Sequence, residues 1–205
     1  GRNMGAIEFG LLCEEIGRSS ASVISLLTVQ GMVCQALTRW GSAAQKEQWL
    51  PRLASGETMA AFGLTEPNIG SDASNVETAA VQGEEGFVLN GHKQWISCGQ
   101  LADVFLIIAQ CDGKPSAFLV EKDCPGFSVE PITGMLGFRS AMLAKLHMED
   151  CAIPPESLVG RVGFGFSHVA GAALDHGRYC VGWGCLGLAE ACIDAALDYA
   201  GTRKQ

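Results

Sequence analysis

The feature that most limits what this chain can fold into is a double change of hydrophobic period. Apolar side chains recur at helical spacing over residues 1–57, alternate as in strands over 58–158, and return to helical spacing over 159–205. "IEFGLLCEEIGR" sets Ile7, Leu11, Leu12 and Ile16 three and four apart, an apolar helix face, with Glu14 and Glu15 on another side. "GSAAQKEQWLPRLASGE" opens on Ser42 with Gln45 three residues later, the pattern of a capping box. Trp49, Leu50 and Leu53 give that helix an apolar side, and Gly56 ends it.

In the middle segment "GFVLNGHKQWIS" reads as two strand runs turning at Asn90-Gly91, a hairpin signal. "DVFLIIAQ", "SAFLVEK", "FSVEPI" and "AKLHMED" follow at short spacing, so a small antiparallel barrel is expected. The last segment is rich in Gly, Ala and Cys, which permit close helix contact but cost helix propensity, so tertiary packing must hold it. The expected fold is α+β and multidomain: a helical N-terminal part, a small antiparallel β-barrel and a helical C-terminal part. Residue 1 falls within a helical approach and "LDYAGTRKQ" still carries a helical pattern, as in a chain incomplete at both ends.

Composition narrows the function. Asp and Glu number 22 against 14 Lys and Arg, with no basic run, which argues against nucleic-acid binding. The longest apolar runs, such as "YCVGWGCLGLA" between Arg178 and Glu190, are too short for a membrane span, and no secretory signal opens the chain. Nine cysteines without paired spacing read as free thiols of a reducing cytoplasm rather than a disulfide framework. The four histidines (92, 147, 168 and 176) show no metal-ligand spacing, so no metal site is expected. "GFGFSHVAG" lacks the lysine of a phosphate-binding loop.

"GLTEPNIGSDASNV" is a strand that stops at Leu64 and becomes a polar loop. By itself it is a surface turn. Together, "GSAAQKEQWLPRLASGE" leading into "GLTEPNIGSD", then "LNGHKQWIS", then "LDHGR" and the closing "RKQ" resemble the flavin-dependent acyl-CoA dehydrogenases in order and separation. The resemblance implies FAD and a set of residues along it. Phe62, Leu64 and Thr65 would border the flavin, with the Thr65 hydroxyl and backbone at the pyrimidine edge. Gly70 and Ser71 would present N–H groups to the diphosphate, Gly70 because no Cβ blocks the approach. Glu66 and Asp72 would fix the loop. Trp95 and Ser97 would share a strand face opposite Ile96, Trp95 packing on the flavin ring and Ser97 aiming its hydroxyl at N5.

Ser71, Asp175 and Arg178 would meet the thioester substrate, with Asp175–Arg178 also a plausible helical ion pair. Arg203 would reach the flavin diphosphate of a neighbouring subunit, making the protein a homodimer or homotetramer. The implied reaction is α,β-dehydrogenation of an acyl thioester on CoA or acyl carrier protein, with an electron-transfer flavoprotein or oxygen as acceptor. A catalytic carboxylate is implied beyond residue 205, because the position before Arg178 that serves a minority of the family is Gly177. "SLLTVQGM" and "GRYCVGWGCLG" are similar to the branch acting on carrier-protein thioesters in polyketide extender-unit synthesis. Two other classes stay open: a flavin-free, catalytically silent binding or assembly module, and an acyl-CoA oxidase or flavin monooxygenase.

Overall fold

The structure, a computed structural model, describes residues 4–205. The expected helical approach at residue 1 lies outside them. Three helices come first: α1 (Ala6–Ser19), α2 (Ala21–Trp40) and α3 (Ala43–Ser55). The capping box forms at α3 as the sequence foretells. Ser42 Oγ accepts from the Gln45 N–H at 3.1 Å, Gln45 Oε1 accepts from the Ser42 N–H at 2.9 Å, and Gly56 closes the helix at φ 78°. Gln45 also reaches across the molecule, donating through Nε2 to Glu156 O at 2.7 Å and to Leu158 O at 3.1 Å.

Eight strands follow: β1 (Ala60–Gly63), β2 (Ala79–Gln82), β3 (Phe87–Ile96), β4 (Val104–Cys111), β5 (Lys114–Glu121), β6 (Phe127–Pro131), β7 (Ala144–Ile153) and β8 (Leu158–Val159). Their order is β6-β7-β3-β2-β4-β5-β8, with β1 also paired to β4. The antiparallel sheet of the middle segment forms as expected, with two parallel pairings added to it. β1 and β2 both run parallel to β4, one after the other along its edge, because the loop between them carries the chain onward in the same direction. The sheet rolls so that Phe105 on β4 meets Phe127 on β6 at 4.8 Å and Phe87 on β3 meets Phe118 on β5 at 4.9 Å. Each such buried ring contributes about 1.5–3 kcal/mol.

Asn90-Gly91 is no hairpin. β3 runs straight through it, and the register against β7 shifts between Leu89 and Gly91. Gly91 has φ 147° and sits too close to Thr78 to admit a Cβ, which marks a bulge. A bulge and a tight turn both select for positive φ, so the dipeptide alone could not distinguish them.

The last segment forms a π-helical turn (Gly165–Ala170) continuous with α4 (Gly171–Thr202). The helical pattern therefore closes at Thr202, before the final residues. α1 corrects a second expectation: Ile7, Leu11 and Leu12 are exposed, while Gly10, Cys13 and Gly17 face α4. A Cβ at Gly17 would collide with the Gly184 backbone, and one at Gly187 with the Glu14 carbonyl, so the two helices touch backbone to backbone.

The membrane expectation also changes. Ala21–Trp40 and Gly165–Thr202 are long and apolar enough to cross a bilayer by length and composition, at mean hydropathies of 1.5 and 1.4. The glycines, alanines and threonines between the short apolar runs join them into longer helices. α2 behaves as a core helix, burying Ile24, Val29, Met32, Val33, Ala36 and Leu37. Its Gln30 ties it to the sheet, accepting from the Ala60 N–H at 2.8 Å and donating to Leu53 O and Thr58 O.

Candidate functional site

Where α2 and α4 cross the rim of the sheet, a cavity of about 320 Å³ opens. Its sheet side is built from Phe62 and Leu64 at the end of β1, Thr65 just beyond, and Trp95, Ile96 and Ser97 where β3 ends. Six of the expected cofactor residues thus come together. α2 contributes Ile24, Ser25, Thr28 and Met32, and α4 contributes Val181, Gly184, Cys185 and Leu188. Among the described residues no charged side chain lines this cavity.

Trp95 departs from strand alternation. It takes φ 60°, unusual for a bulky residue, and the β3–β7 register shifts between Lys93 and Ile96. The kink turns the indole outward until Trp95 is 50% exposed, while Ile96 stays buried yet still borders the cavity. Flanking bonds hold the strained turn: Gln94 N–H donates to Thr65 O at 2.9 Å, and Cys98 N–H donates to Ala141 O at 2.7 Å. The kink therefore pins the Trp95 wall to the Thr65 loop. Phe138, at φ 55°, closes another side of the cavity. No sequence signal pointed to it.

Beneath the rim lies a buried ion pair. Lys93 is fully enclosed, and its Nζ donates to Glu66 Oε1 at 2.6 Å, Ile108 O at 2.6 Å and Leu64 O at 3.2 Å, so all three donors are met. Glu66 accepts in addition from Thr78 Oγ1 at 2.6 Å and from the Thr78 and Glu77 N–H groups. Burial lowers the Lys93 ammonium to about 8, against the pull of Glu66. Burial pushes the Glu66 carboxyl up, but its bonds to Lys93 and Thr78 outweigh that and leave it below its ordinary value. Glu66 is the loop-fixing group the sequence suggested. Asp72 does the same locally, accepting from Asn75 Nδ2 at 3.0 and 2.9 Å. Lys93 was missed, since a lysine within a polar stretch of strand reads as solvated and its partner lies 27 residues away.

The other expected residues sit elsewhere. Gly70 and Ser71 are exposed on the loop after Thr65, outside the cavity lining. A Cβ at Gly70 would meet nothing within 4 Å, and its φ is not in the left-handed region. The fold itself does not demand glycine there; open space lies over the peptide, as a diphosphate cradle requires. Asp175 and Arg178 are exposed on α4 with Nη1–Oδ1 at 3.9 Å, and neither lines the cavity. Arg203 caps α4, donating to the Tyr199 hydroxyl at 2.9 Å. At about 1.5 Å per residue it stands roughly 22 Å along the helix from Leu188, outside its own chain's cavity.

All nine cysteines are free; five are buried, Cys34 and Cys124 are half-buried, and Cys185 and Cys192 are exposed. Cys124 and Cys151 stand 3.3 Å apart at sulfur, a proximity that sequence spacing did not reveal.

The rolled sheet, its rim roofed by two helices, and the cavity backed by an exposed indole are the features to compare with known proteins. Family models for the acyl-CoA dehydrogenase N-terminal, middle and C-terminal domains match residues 1–57, 61–151 and 163–205, and the chain belongs to the acyl-CoA dehydrogenase family. Acryloyl-CoA reductase (NADH) of Anaerotignum propionicum is 38% identical over all of this chain and 54% of its own length. The glutaryl-CoA dehydrogenase of Mycobacterium smegmatis in complex with FADH2 superposes with TM-score 0.93 at 32% identity, over 98% of this chain and 52% of that one. FkbI, for biosynthesis of the methoxymalonyl extender unit of the Fk520 polyketide, superposes with TM-score 0.93 at 33% identity, over 100% and 58%. The chain thus spans about half the length of these relatives.

Proposed function

We propose that this chain forms the flavin-holding half of an FAD-dependent enzyme that dehydrogenates an acyl thioester between its α and β carbons. The observation that carries the reading is the convergence of Thr65, Trp95 and Ser97 on one apolar cavity, with the open Gly70-Ser71 corner following Thr65 on the same loop. The residues present fit the cofactor. Trp95 offers a flat wall for the ring, Thr65 lines the same space, and Gly70 and Ser71 are exposed, so that their peptides are open to a diphosphate. The Ser97 hydroxyl forms no hydrogen bond among the described residues and is free to donate into the cavity. A flavin bound there would supply the hydride acceptor.

The remaining work falls to the apolar wall. Ile24, Met32, Val181 and Leu188 give the reacting carbons an apolar surround. No Asp or Glu lines the cavity among the described residues, and the α-proton is assigned to a carboxylate outside this lining. Asp175 and Arg178 are assigned to the thioester, and Arg203 to a neighbouring subunit's diphosphate in a homodimer or homotetramer. The free thiols favour a cytoplasmic setting.

The likeness to the extender-unit protein supports the extender-unit branch, and on that branch we take acyl carrier protein, rather than the CoA of the other relatives, as the thioester's carrier. A visible spectrum of the purified full-length protein tests the cofactor: bound flavin is expected, and a colourless protein that takes up no added FAD would refute it. Anaerobic bleaching by an acyl carrier protein thioester, faster than by the matching acyl-CoA, is expected; bleaching by acyl-CoA alone would reassign the carrier. Bleached enzyme mixed with electron-transfer flavoprotein or with oxygen then identifies the acceptor.

A further inference from the structure

On the outer face of the sheet, opposite buried Lys93, the register of β3 and β7 places His92 directly across from His147. Their Nδ1 atoms face each other at 3.0 Å. The far side of His147 is occupied: Nε2 lies 3.2 Å from Glu130 Oε2 on β6, and Glu130 is itself steadied by Lys145 Nζ at 2.8 Å. With its Nε2–H directed at that carboxylate, His147 keeps the Nδ1 lone pair toward His92. This cluster plays no part in the cavity.

We propose that His92 and His147 form a two-histidine binding site for a divalent transition-metal cation. The span decides the class. Two ring nitrogens 3.0 Å apart, each about 2.0–2.1 Å from one ion, subtend about 95° at it. That angle matches the tetragonal preference of Cu²⁺ or Ni²⁺ better than the wider tetrahedral angle of structural zinc. Glu130 supplies what a ligating histidine ordinarily has behind it, a carboxylate that fixes the tautomer and the ring's orientation. Lys145 keeps that carboxylate in place. His92 is exposed, so an ion enters from solvent and water completes its coordination. No cluster of three or more ligating side chains gathers among the described residues, so the site is open rather than caged.

Binding requires the ring proton between the two Nδ1 atoms to leave. His92 can carry it on Nε2 instead, with no change in charge. The 55-residue separation is why no motif spacing disclosed the pair.

Ni²⁺ is the probe, because it does not oxidise the exposed Cys185 and Cys192 as Cu²⁺ would. Calorimetric titration of EDTA-stripped full-length protein should count one Ni²⁺ more in the wild type than in His92→Ala and than in His147→Ala. Glu130→Gln should retain the site with affinity roughly tenfold weaker, the usual size of an outer-shell loss. Ni²⁺ should also raise the melting temperature of the wild type by more than that of either alanine variant. Equal stoichiometry in all three proteins, or loss of the site in only one of the two variants, overturns the proposal.

Discussion

The sheet rim and helix α4 both carry expected site residues, but they are built on opposite principles. At the rim, Thr65, Trp95 and Ser97 rest on a buried network in which every Lys93 donor is matched and Glu66 clamps the following loop. On α4, Asp175 and Arg178 stand in solvent 3.9 Å apart, a pairing of the kind worth about 0–1 kcal/mol. The rim meets its geometric cost in the fold itself, whereas the helix residues must be ordered by whatever binds them. Substitutions in the network beneath the rim should therefore damage folding, those at the rim cofactor retention, and those of Asp175 and Arg178 turnover alone.

The sharpest way to break this contrast is Lys93→Met. It leaves Glu66 buried without its cation, and such a loss costs about 3–5 kcal/mol. Urea unfolding should show it, and a change below about 1 kcal/mol would mean the network does not support the rim. Next comes Trp95→Ala, which should reduce flavin retained through gel filtration at least tenfold while the melting temperature moves by only a few degrees.

The Lys93 ammonium titrates at about 8 in the fold, against about 10.4 for an unfolded lysine. Across that window the unfolded chain holds the extra proton, so stability relative to Lys93→Met should climb as pH rises. A flat difference between the two urea midpoints over this range would show that burial does not depress the lysine.

Gly70→Ala should leave unfolding within about 0.5 kcal/mol, since its Cβ meets open space, yet weaken FAD binding in a fluorescence titration. Unchanged FAD affinity would remove Gly70 from the cofactor cradle. Smallest in stability terms is Arg178→Ala, expected to be silent in unfolding and in flavin content while lowering turnover. An unaltered rate would remove that residue from the substrate side.

Locally encoded features were legible beforehand. The Ser42–Gln45 box lies within one helical turn, and the period changes that marked the helical and strand segments are short-range patterns. Thr65, Trp95 and Ser97 were found through family-like motifs, but the kink that turns Trp95 outward was invisible because a positive φ at tryptophan leaves no compositional trace. The exposed face of α1 was misread because glycine and cysteine, not leucine, meet α4. Lys93, Phe138 and the parallel run of β1 and β2 along β4 depend on contacts between distant segments, which no window of sequence contains.

The glycine crossing of α1 and α4 has a reach beyond those helices. A side chain introduced at Gly17 or Gly187 has no slack to fill, so it must lever α4 away from α1. Because α4 also carries Val181, Gly184, Cys185 and Leu188 along the cavity wall, that tilt would resize the cavity from the far side of the helix. The size of that space would then be set in part by residues that do not line it.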